Sequence, residues 1–151
     1  MVNIKWASGF FGLFLLTGCA GPVQDLGIRN GRLSPCPDRP NCVQSQEPGE
    51  KTHIRPIAVA GTREQAKARL LAILSAHDGV TVPVVQPHYI RAEFRSALFK
   101  FVDDVEFYFP ESSAGNTLIH VRSASRLGYS DFGANRKRIQ TLRQLLNRPG
   151  E

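Results

Sequence analysis

Apolar and polar residues alternate along three segments in the second half of the chain, 89–96, 102–109 and 117–125. Strict alternation places successive side chains on opposite faces of a strand. The apolar face contains Ile90, Ala92, Phe94, Val105, Phe107, Phe109, Ile119 and Val121. One-sided strands of this kind predict an antiparallel sheet with helices packed on its apolar face.

Two further segments, 62–76 and 131–147, have apolar residues at helical spacing. The two apolar stripes consist of Ala66, Leu70, Ile73 and Leu74, and of Ile139, Leu142, Leu145 and Leu146. Thr62 is placed to cap the first helix, and either Ser130 or Asp131 to cap the second, because short polar side chains accept hydrogen bonds from the free N–H groups of a helix start.

Segments 53–59 and 80–85 complete the predicted secondary structure as strands. Pro83 interrupts the second of these strands and predicts an edge or bulged position, because proline has no N–H for the sheet. The resulting order is one strand, a helix, four strands and a helix. We therefore predict an α+β fold, a two-layer sandwich with a mainly antiparallel sheet of about five strands and two helices on one face.

The N-terminal region has the layout of a bacterial lipoprotein signal. Lys5 precedes an apolar run over 6–16, and the sequence Leu-Thr-Gly then leads to Cys19. We expect residues 1–18 to be a signal peptide and Cys19 to carry acyl chains that hold the protein to a membrane. Ala20 is not the Asp that retains lipoproteins at an inner membrane, so the outer membrane, facing the periplasm, is expected if the host has two membranes.

The segment 19–49 is rich in Pro, Gly, Asn and Gln and lacks apolar periodicity. We interpret it as a tether and disulfide loop ahead of a single α+β domain over 50–148. Cys36 and Cys42 remain after lipidation of Cys19, and an exported chain favours a disulfide between them. The alternative is half of a zinc site, but no second Cys or His pair accompanies these two residues, and no metal is expected.

The formal net charge of +6 indicates a basic surface. Outside the cytoplasm this charge favours anionic lipids or cell-wall polymers as partners, and no nucleic acid. A basic surface without a specific partner is the other interpretation. The chain lacks a phosphate-binding loop and a dinucleotide glycine motif, so no cofactor is expected.

The polar face of the predicted sheet collects the first group of candidate site residues. They are Arg91, Glu93, Arg95, Asp104, Glu106, His120 and Arg122. One interpretation is a solvated ladder of cross-strand ion pairs. Another is a site in which arginine side chains grip an anionic group while carboxylates orient them. A third uses the carboxylates to bind a cation or to act as acid and base.

A second polar group lies between the last strand and the last helix. It adds Arg126, Ser130, Asp131, Asn135 and Arg136 to the candidates. Helix capping alone accounts for the serine and the aspartate. Arginine side chains beside the free N–H groups of a helix start would also form an anion site.

Five segments resemble the domain-of-unknown-function family 1499. They are 35–37 (PCP), 40–43 (PNCV), 89–96 (YIRAEFRS), 101–107 (FVDDVEF) and 122–136 (RSASRLGYSDFGANR). The resemblance extends from about Leu33 to Leu146 and includes both polar groups. It implies an envelope or organelle-associated protein of unassigned activity.

The sequence therefore favours a membrane-anchored, non-catalytic module that binds an anionic lipid or envelope polymer through Arg91, Arg95, Arg122 and Arg126. An acid/base enzyme is the alternative, using His120 with Glu93, Asp104 or Glu106. A purely structural accessory lipoprotein is the third class. No catalytic residue is assigned, because no motif in the chain specifies a reaction.

Overall fold

The computed structural model describes residues 26–111 and 115–148. The predicted signal peptide and Cys19 lie outside these residues. The elements are β1 Ile28–Arg29, β2 Arg32–Leu33, β3 Cys42–Gln44, β4 Ile57–Ala60, α1 Arg63–Ser75, β5 Val80–Gln86, β6 Tyr89–Arg95, β7 Val102–Tyr108, β8 Asn116–Ser125 and α2 Ala134–Leu146. Neither of the helices in the described part of the chain has the length and apolar character needed to span a bilayer.

A six-stranded antiparallel sheet forms one layer of the fold. Four neighbours follow one another in the order β8-β7-β6-β5, and both β3 and β4 pair with the outer edge of β8. The strand β3 pairs with Arg122–Ala124 and β4 with Asn116–Ile119, so the two short strands lie end to end. The predicted α+β sandwich is confirmed, with six strands in this sheet and a separate β1–β2 hairpin.

The strand β5 forms the other edge of the sheet, as Pro83 predicts. Its pairing with β6 shifts register between Thr81 and Val84, on either side of the proline. Proline cannot donate to a ladder, so the irregularity falls where the missing hydrogen bond is tolerated.

The hydrophobic core lies between the apolar face of the sheet and the two helices. Leu70 and Leu74 of α1 and Ile139 and Leu142 of α2 are buried against strand residues such as Phe107. Thr62 caps α1 as predicted and forms a capping box with Gln65, in which each side chain accepts a hydrogen bond from the other residue's N–H. Both helices therefore lie on the apolar face of the sheet, where their buried residues contact the strands.

The helix α2 begins at Ala134, three residues later than predicted, and ends at Leu146. Phe132 and Gly133 have φ values of 52° and 82°, and this left-handed backbone cannot belong to a right-handed helix. The N-cap is therefore Gly133, and neither Ser130 nor Asp131 occupies that position. The Asp131 carboxylate still accepts hydrogen bonds from the N–H groups of Gly133 and Asn135, at 3.0 and 2.8 Å.

The N-terminal part of the described chain covers the polar face of the sheet, whereas the sequence indicated a tether and a disulfide loop there. The hairpin strand β2 contacts β7 and β8. Leu33 is 3% exposed, and the Gly27 N–H donates to the Glu106 carboxylate at 2.8 Å. The sheet itself begins with β3, before the predicted domain start at residue 50.

Cys36 and Cys42 lie at disulfide-bonding distance, with Cα atoms 5.7 Å apart. Cys42 belongs to β3, and its Cα partner in the sheet is Ala124 of β8. The disulfide therefore fixes residues 34–41 to the polar face of the sheet.

Candidate functional site

The charged residues of the polar face occupy two adjacent rows across the sheet. In the first row Arg91, Glu106 and Arg122 are register partners on β6, β7 and β8. In the second row Glu93 lies opposite Asp104. The first row alternates in charge, whereas the second brings two carboxylates together, so the second requires a cation from elsewhere.

The first row contains a fully buried ion pair. Arg122 Nη1 donates to Glu106 Oε2 at 3.2 Å, and the two side chains are 2% and 0% exposed. The other carboxylate oxygen, Oε1, accepts hydrogen bonds from the Tyr89 hydroxyl at 2.7 Å and from the Gly27 N–H at 2.8 Å. Burial raises the pKa of Glu106, and these three donors oppose that rise.

Arg126, just beyond β8, supplies the cation for the second row. Its Nε and Nη2 atoms donate to the two oxygens of Asp104 at 2.7 and 2.8 Å, and Nη2 also donates to Glu93 at 2.6 Å. The hydrogen bond to Asp104 is the main cause of the raised pKa of Arg126. Arg91 also pairs with Glu93, with its Nη2 atom 3.6 Å from Glu93 Oε1.

The structure thus pairs six of the candidate charges in two neighbouring groups, one of Arg122 and Glu106 and one of Arg91, Glu93, Asp104 and Arg126, and we call the two groups together the ion-pair network. The cross-strand pairing matches the expected ladder, but its centre is buried instead of solvated. Arg95 lies apart from the network on the exposed end of β6.

A cavity of about 600 Å³ lies over Arg122, between the hairpin and the disulfide loop. Three arginine side chains and one carboxylate contribute to its lining, with apolar and small residues between them. The lining consists of Arg29, Arg32, Leu33, Ser34, Pro35, Cys36, Pro37, Glu47 and Arg122. We call this cavity the arginine pocket. Its volume lies in the range of ligand pockets, roughly 300–1,000 Å³.

The arginine pocket has residues that the sequence interpretation missed. Arg29 and Arg32 flank Asn30-Gly31, a dipeptide typical of tight hairpin turns. Asn30 and Gly31 have φ values of 51° and 72°, as such a turn requires. This dipeptide was the available sequence signal for the hairpin, and it places both arginine side chains in one short ribbon.

His120 lies on the same face as the network, two residues before Arg122 on β8. Its Nδ1 atom is 3.2 Å from the Ser45 hydroxyl, and its ring stacks on Tyr108. Burial lowers the pKa of His120, and the positive charge of Arg32 lowers it further. His120 is therefore neutral at pH 7 and has a hydroxyl, not a carboxylate, as its hydrogen-bond partner.

The candidates around α2 have structural contacts. Asn135 is fully buried and donates to the Asn41 carbonyl at 2.9 Å and to the Ser125 hydroxyl at 3.1 Å. Its own carbonyl oxygen accepts a hydrogen bond from Ser123. The Arg136 side chain donates to two main-chain carbonyls, those of residues 51 and 53. The Ser130 hydroxyl accepts from the N–H of residue 132.

A second cavity, of about 420 Å³, lies on the opposite side of the molecule. Phe94 and Leu142 contribute apolar surface, and Arg95, Lys137 and Arg138 are its basic residues. The Arg138 guanidinium is 4.8 Å from the Phe94 ring centroid and also pairs with Asp103.

Among residues 26–111 and 115–148, no three His, Cys, Asp or Glu side chains are grouped so that they could hold a metal ion. Chemically, the arrangement offers guanidinium groups at the arginine pocket and buried, hydrogen-bonded carboxylates beneath it. Guanidinium groups of this kind bind phosphate or carboxylate oxygens.

Comparison with known proteins identifies the family. No curated protein and no solved structure matches the chain. A family profile matches residues 32–146, which include the whole ion-pair network and most of the arginine pocket. The chain belongs to the family described as "Protein of unknown function (DUF1499)".

Proposed function

We propose that this chain is a non-catalytic envelope lipoprotein whose domain binds the anionic group of a lipid or envelope polymer in the arginine pocket. A lipid on Cys19 anchors it, to the outer membrane where the cell has two membranes. The observation that carries the proposal is the convergence of Arg29, Arg32 and Arg122 on one cavity.

The electrostatics of the arginine pocket support an anion over a cation. Its lining has three guanidinium groups and a single carboxylate, that of Glu47. A guanidinium group is suited to phosphate or carboxylate oxygens, to which it can donate two parallel hydrogen bonds. An anionic ligand would therefore be favoured both by charge and by hydrogen-bond geometry.

The buried position of Arg122 supports a prearranged site. Glu106 fixes the Arg122 guanidinium from the sheet side, and Tyr89 and Gly27 in turn fix Glu106. A side chain held in this way loses little conformational freedom when a ligand binds. Relative to the sequence interpretation, the hairpin residues Arg29 and Arg32 join Arg122 in the ligand-binding role, because these three arginine residues line the cavity and Arg91 and Arg126 do not.

Native mass spectrometry of the Cys19→Ser protein, exported and purified gently, tests the proposal. We expect a stoichiometric lipid or glycan fragment, or, in its absence, binding of dihexanoyl phosphatidylglycerol or inorganic phosphate. The Arg29→Gln/Arg32→Gln double variant should lose this binding. Both residues are exposed, so the substitutions should leave the fold intact.

Arg69→Gln is the matched control for the single variants Arg29→Gln and Arg32→Gln, because each of the three removes one positive charge from an exposed position. Arg69→Gln should bind like the unaltered protein, whereas general charge attraction would make its binding as weak as that of either single hairpin variant. An unliganded mass together with no binding of either probe would contradict the proposal.

A further inference from the structure

The connection between β6 and β7 presents large apolar side chains to solvent. Leu98 is 78% exposed, Phe99 67% and Phe101 46%. The two phenylalanine rings stack on each other with centroids 5.6 Å apart. Contiguous exposed apolar residues of this size typically mark an interaction surface.

A second group of exposed apolar residues lies at the same end of the sheet. Leu127, Tyr129 and Phe132 follow β8, and Phe132 is 98% exposed. The N–H of residue 126 donates to the carbonyl of Val102 at the start of β7, so the connection after β8 leaves the sheet beside the β6–β7 connection. We call this surface, made of Leu98, Phe99, Phe101, Leu127, Tyr129 and Phe132, the aromatic end.

The backbone of the β6–β7 connection holds the rings outward. The Ser96 N–H donates to the Phe101 carbonyl at 2.9 Å, and the Phe101 N–H donates to the Ser96 hydroxyl at 2.9 Å. Lys100, between the two rings, has a φ of 56°, which is unusual for a residue with a side chain. A closed turn thus presents Phe99 and Phe101 side by side.

Basic residues adjoin this apolar surface. Lys100 lies within it, and the exposed residues Arg95 and Lys137 line the neighbouring 420 Å³ cavity together with Asp78. Apolar side chains flanked by Lys and Arg match the interface of an anionic bilayer, where the rings enter the acyl boundary and the cations meet phosphate groups.

We propose that the aromatic end is a membrane-docking surface for an anionic phospholipid bilayer. It inserts Phe99 and Phe101 below the headgroups and places Lys100 among the phosphates. The docking orients the domain on the membrane and is separate from ligand binding in the arginine pocket.

The short chain between Cys19 and the domain supports a bilayer as the partner of the aromatic end. This argument rests on the proposed lipid on Cys19. Leu26 lies seven positions after Cys19 in the sequence, and a fully extended chain of that length spans about 25 Å. Gly27 is hydrogen-bonded to Glu106, which lies five strand residues, roughly 17 Å, from Phe101. The anchor therefore reaches the plane of the aromatic end while holding the domain close to the bilayer.

Tryptophan fluorescence tests the docking site directly. Trp6 is the only tryptophan in the chain, so Phe99→Trp in a Trp6→Phe/Cys19→Ser background reports on the aromatic end alone. The matched control is Val85→Trp in the same background, because Val85 is 50% exposed and lies at the opposite end of the sheet.

With vesicles of phosphatidylglycerol and phosphatidylethanolamine, we expect the Phe99→Trp emission to shift to the blue and to be quenched by brominated acyl chains. The Val85→Trp emission should stay unchanged. Equal quenching of both reporters, or no change in Phe99→Trp, would overturn the proposal. A blue shift that depends on protein concentration without lipid would assign the surface to a second copy of the chain.

Vesicle sedimentation of the Phe99→Ser/Phe101→Ser variant measures the contribution of the rings. Each buried aromatic side chain is worth enough that binding should weaken on the order of tenfold or more. Val85→Ser should bind normally, and thermal unfolding midpoints of both variants should match the unaltered protein. In the Arg29→Gln/Arg32→Gln variant, the Phe99→Trp emission should still shift to the blue and be quenched by brominated acyl chains, which distinguishes failure of the docking surface from failure of the arginine pocket.

Discussion

Arg122 and Glu106 form an ion pair in which neither side chain is more than 2% exposed. Charges so deeply buried are costly to desolvate, and only complete pairing and hydrogen bonding offset that cost. Glu106 has the required partners in Arg122, Tyr89 and Gly27. The N-terminal hairpin thus depends on the sheet for its attachment, and the sheet charges depend on the hairpin for their burial.

Removing one partner of this pair should destabilise the fold strongly. We expect Arg122→Ala to lower the free energy of unfolding by about 3–5 kcal/mol, because it leaves the Glu106 carboxylate buried without its cation. Urea denaturation followed by circular dichroism measures the loss. Arg69→Ala, at an exposed helix position, should change stability by less than about 0.5 kcal/mol.

The double variant Arg122→Met/Glu106→Leu provides the second control. It removes both charges and keeps most of the buried volume, so it should be more stable than Arg122→Ala. An Arg122→Ala protein as stable as the unaltered protein would contradict the burial of the pair.

The free energy of unfolding should depend on pH through the titration of Glu106. Burial raises its folded-state pKa above the ordinary value of 4.5. The native state therefore binds more protons than the unfolded state in the window above pH 4.5, and the contribution of Glu106 to stability is lost as pH rises through the folded pKa.

Unfolding free energies measured from about pH 4 to 8 for the unaltered protein and for Glu106→Gln test this sign. The stability of the unaltered protein relative to the variant should decrease with rising pH. A relative stability that increases over the same range would mean that Arg122 and the other donors outweigh the desolvation of Glu106.

The sequence predicted the larger part of the sheet because alternation is a direct signal of a one-sided strand. Ile90, Phe107 and Val121 are all buried on the helix side as expected. The same pattern could not show whether the polar face of the sheet is exposed to solvent or buried under another part of the chain. A binary pattern records which side chains share a face, and what packs on a polar face depends on distant parts of the chain.

The arginine pocket was missed for this reason. Its cover comes from short elements, a hairpin with two-residue strands and the three-residue β3, which are too brief for periodicity to detect. The predicted start of α2 was wrong because Phe132 and Gly133 have left-handed backbone, and a phenylalanine in the sequence gives no sign of that conformation. The N–H groups of these two residues donate to the side chains of Ser130 and Asp131, so both polar residues close a turn ahead of the helix. Arg126 was predicted as a site residue, but its role between two carboxylates follows from the strand register.

Arg126 should not tolerate replacement by lysine. Its fork holds both oxygens of Asp104 and reaches Glu93 as well, whereas a lysine ammonium is a single point charge. We expect Arg126→Lys to lose about 1.5–3 kcal/mol of stability, since hydrogen bonds to charged groups are lost next to two facing carboxylates. Arg39→Lys, at an exposed loop position, is the control, and equal thermal midpoints for the two variants would contradict the bridging role.

His120 should report on ligand binding in the arginine pocket. Burial and the charge of Arg32 hold its pKa below the ordinary value of 6.5, so its neutral form contributes stability above pH 6.5 that is lost as pH falls through the folded pKa. A bound anion offsets the repulsion from Arg32 and should move the His120 pKa upward, which by linkage makes the anion bind more tightly at low pH.

Nuclear magnetic resonance titration of the imidazole with and without sulfate, whose charge is constant over this range, measures the shift. Arg32→Gln should raise the pKa on its own and remove most of the response to sulfate, whereas an unchanged His120 titration at saturating anion would place the ligand elsewhere.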